Sequence, residues 1–336
     1  MSDPTGSARP VSVPVVRSIL SADGVAEVLA REYGLEEVTC RLEQAVTIDS
    51  YGVKSKTGSF TLRVHPARRT EDEVRGELEF MRRLDAAGIP VTAPVPRVDG
   101  SLWLPVEAAE GTRIAVLFAA APGGPLSERG EPRFVNAHGA LLAKLHLAAD
   151  AFPPLAGRAP LTVESLVDAP KELLVSAYGP RSSAGYMARY AADLVRPVIA
   201  SLPLEAPVYG LCHGDPGMGN ALVTGDGRLT LTGFDFCGPA WRAHDLAVAL
   251  NELPGDYPRG YLAAYREARE PTAEEMHAIP HFQAAHHLWL VATRTRHVNE
   301  WGAFAFTDRQ VMHTFAKVEA LLPVLKRERP AEIPVG

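Results

Sequence analysis

The residues best suited to chemistry lie close together, in the segment His213-Gly214-Asp215 and in Asn220, five positions beyond the aspartate. A carboxylate can accept a proton, and carboxylate and amide oxygens are ligands that hard cations prefer. An apolar run precedes this segment, and the turn Asp226-Gly227 and a second apolar run over 229–236 follow it. The pattern predicts a polar loop held between two short strands, which is a common way for a rigid scaffold to present catalytic residues.

A second candidate pair, Arg63 and Glu77, is predicted from two periodic patterns. In the strand predicted over 59–65, apolar and polar residues alternate, so Arg63 points away from the apolar layer. In the helix predicted over 70–87, Glu77 lies within the apolar stripe. A buried carboxylate requires a cationic partner, and Arg63 is the natural candidate. The alternative is that Glu77 lies at the edge of the stripe, in contact with water.

The composition indicates a globular protein with two packed lobes. The chain has 336 residues, of which 46% are hydrophobic, and a single core stops growing at about 250–300 residues. The formal charge of -6 and the scattered basic residues argue against a nucleic-acid or membrane-surface role, for which a clustered basic face is needed. The expected partner is a small molecule or a peptide.

No segment predicts export or membrane insertion. No apolar run reaches the roughly 20 residues of a membrane span, and residues 1–9 are polar, unlike a signal peptide. The cysteines Cys40, Cys212 and Cys237 lack the spacing of a zinc site, and their odd number argues against a disulfide framework. We therefore predict a cytoplasmic protein with ordinary free thiols.

The first part of the chain predicts a small antiparallel sheet. A flexible segment over 1–13 is followed by a short helix and three strand-like runs. The helix over 70–87 comes next, and a hairpin is predicted from the runs 97–104 and 113–118. These elements form the predicted N-lobe, over 14–121.

A segment rich in Ala, Pro and Gly, over 119–124, predicts the boundary between the lobes. Free backbone N–H and C=O groups beside Phe118 and Ala120 could read the edge of a base there. Beyond this point the pattern is mostly helical, which predicts a C-lobe over 122–336 and an α+β protein as a whole.

Two groups of residues elsewhere in the C-lobe are predicted to be structural or to line a pocket. The histidines His277, His281, His286 and His287 are not accompanied by an acidic or cysteine ligand at helical spacing, so we interpret them as surface or substrate-pocket groups. The tryptophans predicted to pack at the lobe interface are Trp241, Trp289 and Trp301.

The segment His213-Gly214-Asp215 with Asn220 resembles the catalytic loop of the aminoglycoside phosphotransferase and choline kinase family. Within that family the sequence is most similar to the homoserine-kinase and stress-response-kinase-like group. The resemblance spans residues 46–250 and includes the order of the elements. It implies a bilobal protein-kinase-like fold, with a small antiparallel-sheet N-lobe and a larger, mainly helical C-lobe.

The resemblance implies a role for each candidate residue. Asp215 orients the acceptor hydroxyl and takes its proton, Asn220 binds Mg²⁺, and His213 braces the loop. Arg63 stands where the family has a phosphate-contacting lysine, with Glu77 as its orienting partner. The residues expected to bind ATP are Ser50, Arg63, Glu77, Phe118 and Ala120.

One family position differs in this sequence. The strand after the loop normally carries a metal-binding Asp, about a dozen residues before a second Asp that opens the next helix. Asp245 matches the second of these, and the spacing places Gly233 at the first. Asp235 lies two residues further on, and two residues displace a side chain by about 6.6 Å along a strand. Either Asp235 reaches the metal through a bulge or a bridging water, or the metal site is weakened.

These features together predict an ATP-dependent O-phosphotransferase that uses Mg²⁺ and acts on a small hydroxylated metabolite, antibiotic or peptide. Two alternatives stay open. Gly233 favours a degenerate member that binds nucleotide, substrate or a partner enzyme without turnover. The kinase-like cleft could instead serve a non-phosphorylating reaction.

Overall fold

The computed structural model describes residues 11–302 and 307–326. The predicted flexible segment 1–13 lies outside the described residues except for its last three positions, and so does the end of the predicted C-lobe, 327–336. The described residues form two lobes, one built on an antiparallel sheet and one mainly helical. The predicted α+β class is therefore confirmed.

The N-lobe is organised by a five-stranded sheet. Its strands are β1 (Thr39–Ala45), β2 (Asp49–Ser55), β3 (Gly58–Val64), β4 (Leu104–Ala108) and β5 (Gly111–Ala119). All neighbours are antiparallel, in the order β1-β2-β3-β5-β4. The alternation in β3 is as predicted, because Leu62 and Val64 are buried in a cluster with helix α1 (Ala22–Tyr33), whereas Arg63 lines a cleft.

Helix α2 (Glu71–Ala86) carries Glu77 into the protein interior. It begins with a capping box, in which Thr70 Oγ1 accepts from the Glu73 N–H at 3.2 Å and the Glu73 carboxylate accepts from the Thr70 N–H at 2.8 Å. Glu77 is 1% exposed. The alternative that Glu77 lies in water at the edge of the stripe is therefore wrong.

The prediction of a strand over 97–104 is also wrong. Strand β4 begins only at Leu104, where the chain starts to pair with β5. Before it, the Asp99 carboxylate accepts a hydrogen bond from the Ser101 N–H at 2.9 Å and closes a local turn. Such side-chain-to-backbone bonding competes with strand pairing, which explains why the apolar pattern was misleading here.

The C-lobe is mainly helical. Its helices are α3 (Leu126–Arg129), α4 (Pro132–Asp150), α5 (Ala169–Tyr178), α6 (Ser183–Ala200), α7 (Arg242–Leu250), α8 (Tyr257–Ala268), α9 (Ala273–Arg296), α10 (Val298–Trp301) and α11 (Asp308–Leu325). Helix α4 packs against α8, and α9 packs against α5, α6, α7 and α11. Within the described ranges, no helix combines the length and the apolar character needed to cross a membrane.

Short strands position the predicted catalytic loop at the inner edge of the C-lobe. They are β6 (Gly124–Pro125), β7 (Tyr209–Cys212), β8 (Ala221–Val223), β9 (Leu229–Leu231) and β10 (Gly238–Trp241). Strand β7 pairs with β10, and β8 pairs with β6 and β9. The predicted strand–loop–strand arrangement is thus confirmed, with the loop between β7 and β8. The exact boundary between the lobes at 121 and 122 stays a prediction.

Candidate active site

The position of the loop that carries Asp215 is fixed by hydrogen bonds to Asp245, which lies near the start of α7. The Asp245 carboxylate is fully buried and accepts hydrogen bonds from the N–H groups of His213, at 2.8 Å, and Gly214, at 2.9 Å. His146 Nε2 lies 3.1 Å from the same carboxylate. Burial disfavours the charged form, but hydrogen bonding from His146 and His244 holds the pKa of Asp245 well below its usual range. The backbone of the loop is therefore held by a buried, charged hydrogen-bond acceptor.

Gly214 turns the chain so that Asp215 faces a cleft between the lobes. Its φ of 86° lies in the left-handed region, and an added Cβ would overlap the backbone carbonyl of Phe236. Only glycine fits this position without strain. The close approach brings the loop against the segment 234–236, which contains Asp235.

Asn220 is linked directly to Asp215 by two hydrogen bonds. Its Nδ2 donates to the Asp215 backbone carbonyl at 2.8 Å and to the Asp215 carboxylate at 2.9 Å. His213 Nε2 lies 2.9 Å from the carbonyl of Thr232, so the His213 side chain joins the loop to the following strand. This contact is the one expected of a residue that braces the loop.

The environment of Asp215 makes its carboxylate unusually basic. Burial raises its pKa to about 6, and repulsion from Glu252 adds to this effect. The hydrogen bond from Asn220 works in the opposite direction, because it favours the charged form. A carboxylate with such a pKa can accept a proton near neutral pH better than an ordinary surface aspartate can.

Arg63 and Glu77 do not form the direct ion pair that was predicted. Arg63 Nη2 donates instead to the Asp235 carboxylate, and Glu77 binds Arg69 at 3.2 Å. Burial would raise the pKa of Asp235, but the charges of Arg63 and the groups around it outweigh burial and lower this pKa. The strand and helix faces were predicted correctly, but Asp235 from the other lobe competes for the arginine.

Two arginines near this pair were not predicted from the sequence. The Asp235 backbone carbonyl accepts from Arg69 at 2.7 Å and from Arg158 at 2.6 Å. Arg158 lies in irregular chain between α4 and α5, where no periodic pattern could have indicated it. The bond from Arg69 ties the segment that carries Asp235 to the N-lobe side of the cleft.

Gly233 lies directly against Asn220. Its φ of 73° is left-handed, and a Cβ added there would be 2.6 Å from Asn220 Cγ and would overlap Oδ1. A side chain at 233 would therefore point at the amide oxygen of Asn220. Asp and Asn tolerate the left-handed conformation better than other non-glycine residues do.

A cavity of about 470 Å³ collects most of the predicted site residues. Asp215, Asn220 and Asp235 line it from the C-lobe side, and Ser50 and Arg63 line it from the N-lobe side. We call it the catalytic cavity. A carboxylate base, an amide oxygen and a guanidinium group therefore face one space, as phosphoryl transfer requires.

Three predicted nucleotide-binding residues do not line this cavity, namely Glu77, Phe118 and Ala120. The Ala120 N–H donates to the Ser59 carbonyl at 3.1 Å, so it is already used within the sheet. The expectation that this backbone N–H is free to read a base is wrong. Phe118 is 5% exposed and belongs to the core between the sheet and α2.

The catalytic cavity contains oxygens that suit a hard divalent cation. Asn220 Oδ1 faces the open side of Gly233, since Nδ2 is the atom bonded to Asp215. Asp235 Oδ1 is buried and has no hydrogen-bond partner among the residues that the structure describes. The predicted metal ligands, Asn220 and Asp235, therefore fit such an ion, although Arg63 holds the second oxygen of Asp235.

Comparison with known proteins connects this geometry with phosphoryl transfer. A family model described as the phosphotransferase enzyme family matches residues 42–279. The chain is 32% identical over 304 residues to an uncharacterised protein of Deinococcus radiodurans, covering 87% of each protein. It is 25% identical over 266 residues to a homoserine kinase of Paraburkholderia xenovorans, covering 73% of this chain and 77% of that protein.

The fold is likewise found in a solved kinase. The structure of amicoumacin kinase hAmiN in complex with AMP-PNP, Ca²⁺ and Ami has a TM-score of 0.75 at 20% identity, covering 92% of this chain and 96% of that chain. The predicted resemblance and the predicted bilobal, kinase-like fold are confirmed.

Proposed function

Because the chain belongs to the phosphotransferase enzyme family, we propose that it transfers the terminal phosphoryl group of ATP to a hydroxyl group of a small molecule. The observation that carries the proposal is the position of Asp215, a buried carboxylate with a pKa raised to about 6, on the wall of a cavity shared by both lobes. In this role Asp215 accepts the hydrogen bond of the acceptor hydroxyl and then takes its proton.

The N-lobe side of the cavity supplies the groups that we propose for nucleotide binding. Arg63 presents a guanidinium group suited to phosphate oxygens, and the Ser50 hydroxyl lies on the neighbouring strand, paired with Arg63 in the sheet register. Asn220 and Asp235 would hold Mg²⁺, which when bound neutralises charge on the β- and γ-phosphates. Arg63 must then divide its hydrogen bonds between Asp235 and the nucleotide.

A direct test is an acceptor screen with ATP and Mg²⁺. ADP release that depends on a hydroxylated compound, with a phosphorylated product in the mass spectrum, is the expected result. A protein that binds Mg·ATP but releases ADP at the same rate with every acceptor and with buffer alone would contradict acceptor phosphorylation.

The pKa of Asp215 predicts the pH dependence of this reaction. The base acts only when unprotonated, so kcat/KM should rise with pH through a midpoint near the value of about 6. Below the midpoint it should fall about tenfold per pH unit, as expected for one essential base. Initial rates at subsaturating acceptor, with Mg·ATP held saturating, measure this profile. A rate that does not fall on acidification, or a fall that the Asp215→Asn variant retains, would remove Asp215 as the group that titrates.

A second candidate function is ligand binding without phosphoryl transfer, either alone or on a partner enzyme. Gly233 favours it, since no side chain occupies the position facing Asn220 Oδ1. The same observation leaves open a non-phosphorylating reaction in the cleft. The two candidates differ in whether the native protein transfers a phosphoryl group, and weak native binding of Mg·ATP would favour the second.

Replacing Gly233 by Asp tests whether the native metal site lacks a carboxylate. We expect Gly233→Asp to tighten Mg·ATP binding by about tenfold, or about 1.4 kcal/mol, because it places a carboxylate beside the amide oxygen of Asn220. Titration calorimetry with and without Mg²⁺ measures the change. Gly233→Asn is the matched control, because it has the same shape and tolerates the same backbone conformation without adding charge.

Weaker binding in both variants would mean that Asp235 already supplies the carboxylate and that a side chain at 233 only crowds Asn220. Unchanged binding in both would mean that the cleft does not hold Mg·ATP in the family manner, and the non-phosphorylating alternative would then be preferred.

A further inference from the structure

The catalytic cavity adjoins a second cavity of about 300 Å³ between the N-lobe and α9. We call this second space the acceptor extension. The residues that line both spaces are Thr47, Ile48, Asp235, Phe236, Trp289, Thr293 and Trp301. The acceptor extension therefore lies beside the space that Asp215 faces, along α9.

We call the catalytic cavity and the acceptor extension together the combined space. One face of α9 and α10 forms a wall of this combined space. Residues three, four or seven positions apart share a helix face, and the lining residues follow that spacing. They are His286, Trp289, Leu290, Thr293, Arg294, Arg296, His297 and Trp301. None of these side chains is a carboxylate.

The aromatic members of this wall form two groups, one around Trp289 and one around Trp301. Trp289 stacks on His286, with ring centroids 5.8 Å apart, and meets the edge of Phe236 at 5.2 Å. Trp301 stacks on His297 at 5.1 Å. Trp301 is 9% exposed, and its Nε1 is buried without a hydrogen-bond partner in the part of the chain that the structure describes. The wall thus offers aromatic surface and an unused donor.

The carboxylates that do reach the combined space, apart from Asp215, are already engaged. Asp235 is bound by Arg63 through one oxygen, and its other oxygen is the one proposed for Mg²⁺. Glu73 lies 3.6 Å from Arg69 while it also caps α2. They are therefore poorly placed to neutralise an amino group on an acceptor.

The last turn of α9 instead brings a cation to the acceptor extension. Arg296 lines it, is exposed, and has no hydrogen bond or ion pair with a residue in the described ranges. Arg294, two positions earlier, lines the catalytic cavity.

We propose that the acceptor is an alcohol that carries an anionic group, such as a carboxylate, and a flat apolar group. This inference rests on the proposed function and assigns the chemical class of its substrate. The flat group stacks on Trp289 or Trp301, the anionic group lies toward Arg296, and the hydroxyl reaches Asp215. A polycationic acceptor does not fit, because several ammonium groups buried against this wall would find no free carboxylate as a partner.

Binding of matched alcohols tests the proposal. One set is tropic acid, its amide, and 3-amino-2-phenylpropan-1-ol, which share a phenyl ring and a primary hydroxyl and differ in charge. A second set is 4-(hydroxymethyl)benzoate, its amide, and 4-(aminomethyl)benzyl alcohol, which separates the hydroxyl and the charge more widely. Kanamycin serves as the polycation. Affinities are measured by calorimetry in the presence of Mg·AMP-PNP.

The acid should bind at least about tenfold more tightly than the amine in at least one set, the scale of one charge-assisted hydrogen bond. Arg296→Glu should abolish or reverse this order. Arg259→Glu is the control with the same charge change, since Arg259 is exposed on α8 and lines neither space. Trp289→Leu should weaken the ring-bearing acid roughly fivefold or more but leave the ring-free 3-hydroxy-2-methylpropanoate unchanged.

Tighter binding of the amine in both sets, tight binding of kanamycin, or no binding of either acid at millimolar concentration would overturn the proposal. The phosphoryl-transfer proposal fails separately. If the acids bind in the expected order but none is phosphorylated, the substrate class stands and the enzymatic role fails. If kanamycin or an amine is phosphorylated efficiently, the enzymatic role stands and the substrate class fails.

Discussion

Replacing Asp215 by Asn is expected to lower phosphoryl-transfer turnover by about 10²- to 10⁴-fold, the range that a positioned general base contributes. The variant keeps the shape of the side chain, and its amide oxygen can still accept the hydrogen bond from Asn220 Nδ2. It cannot take the proton of the acceptor. The effect should therefore appear in kcat, while the affinity for nucleotide stays close to that of the native protein.

The stability of the Asp215→Asn variant provides a further check. The folded pKa of Asp215 is raised to about 6, above the value of about 3.9 expected in the unfolded chain. The folded state therefore binds the proton more tightly, and this carboxylate destabilises the fold as the pH rises through that interval. At pH 8 we expect the variant to melt at the same temperature as the native protein or higher.

Asp226→Asn is a suitable control, because Asp226 is exposed in the turn between β8 and β9 and lies away from the cavity. Its turnover should equal that of the native protein. If Asp215→Asn retained native turnover with a correctly folded chain, Asp215 would not be the base, and the proposed mechanism would have to be abandoned.

Replacing Asp245 by Ala is expected to lower the free energy of unfolding by about 3–5 kcal/mol, the usual cost of removing one partner from a buried charged network. The reason is that the N–H groups of His213 and Gly214 lose their acceptor and cannot reach water. The loop that carries Asp215 should lose its position at the same time. Equilibrium unfolding in urea at neutral pH measures the change in free energy.

The pH dependence of stability distinguishes this role from simple packing. The folded pKa of Asp245 is depressed, so its contribution to stability is present above the unfolded pKa and is lost as the pH falls through the acid range. The difference in stability between the native protein and Asp245→Ala should therefore shrink on acidification. A constant difference at all pH values would mean that the lost volume, rather than the charge, is responsible.

Asp193→Ala on the exposed face of α6 is the matched control, and we expect it to change stability by less than about 0.5 kcal/mol. A similarly small effect for Asp245→Ala would show that the catalytic loop holds its position without this carboxylate.

Several features of the fold follow from short-range patterns. Helix α2 begins at Glu71, within one residue of the predicted start, and its apolar stripe carries Glu77 inward because side chains 3 or 4 residues apart share a face. In β3, simple alternation was enough to place Leu62 and Arg63 on opposite faces. The turn after β8 was equally visible in Asp226-Gly227. Each of these signals involves residues that are close in the chain.

The partner of each buried charge could not be predicted in this way. Arg63 and Glu77 were correctly placed on facing elements, but Arg63 binds Asp235, 172 residues away in the sequence. Arg158 reaches the Asp235 carbonyl from an irregular segment. Periodicity says which way a side chain points from its own element, and it does not say which of several nearby charges will approach most closely.

The sequence by itself determined the two-lobed α+β class, the loop with Asp215 and Asn220, and the family, because these depend on local periodicity and on one compact motif. Only the tertiary structure decided that Asp235 pairs with Arg63, that the Ala120 N–H is already used, and that an aromatic wall without carboxylates faces Asp215. These features arise where segments far apart in the chain meet. At these places, the contacts of each side chain are set by competition between neighbouring charges and by the burial of each group. The spacing of residues along one segment encodes neither of these.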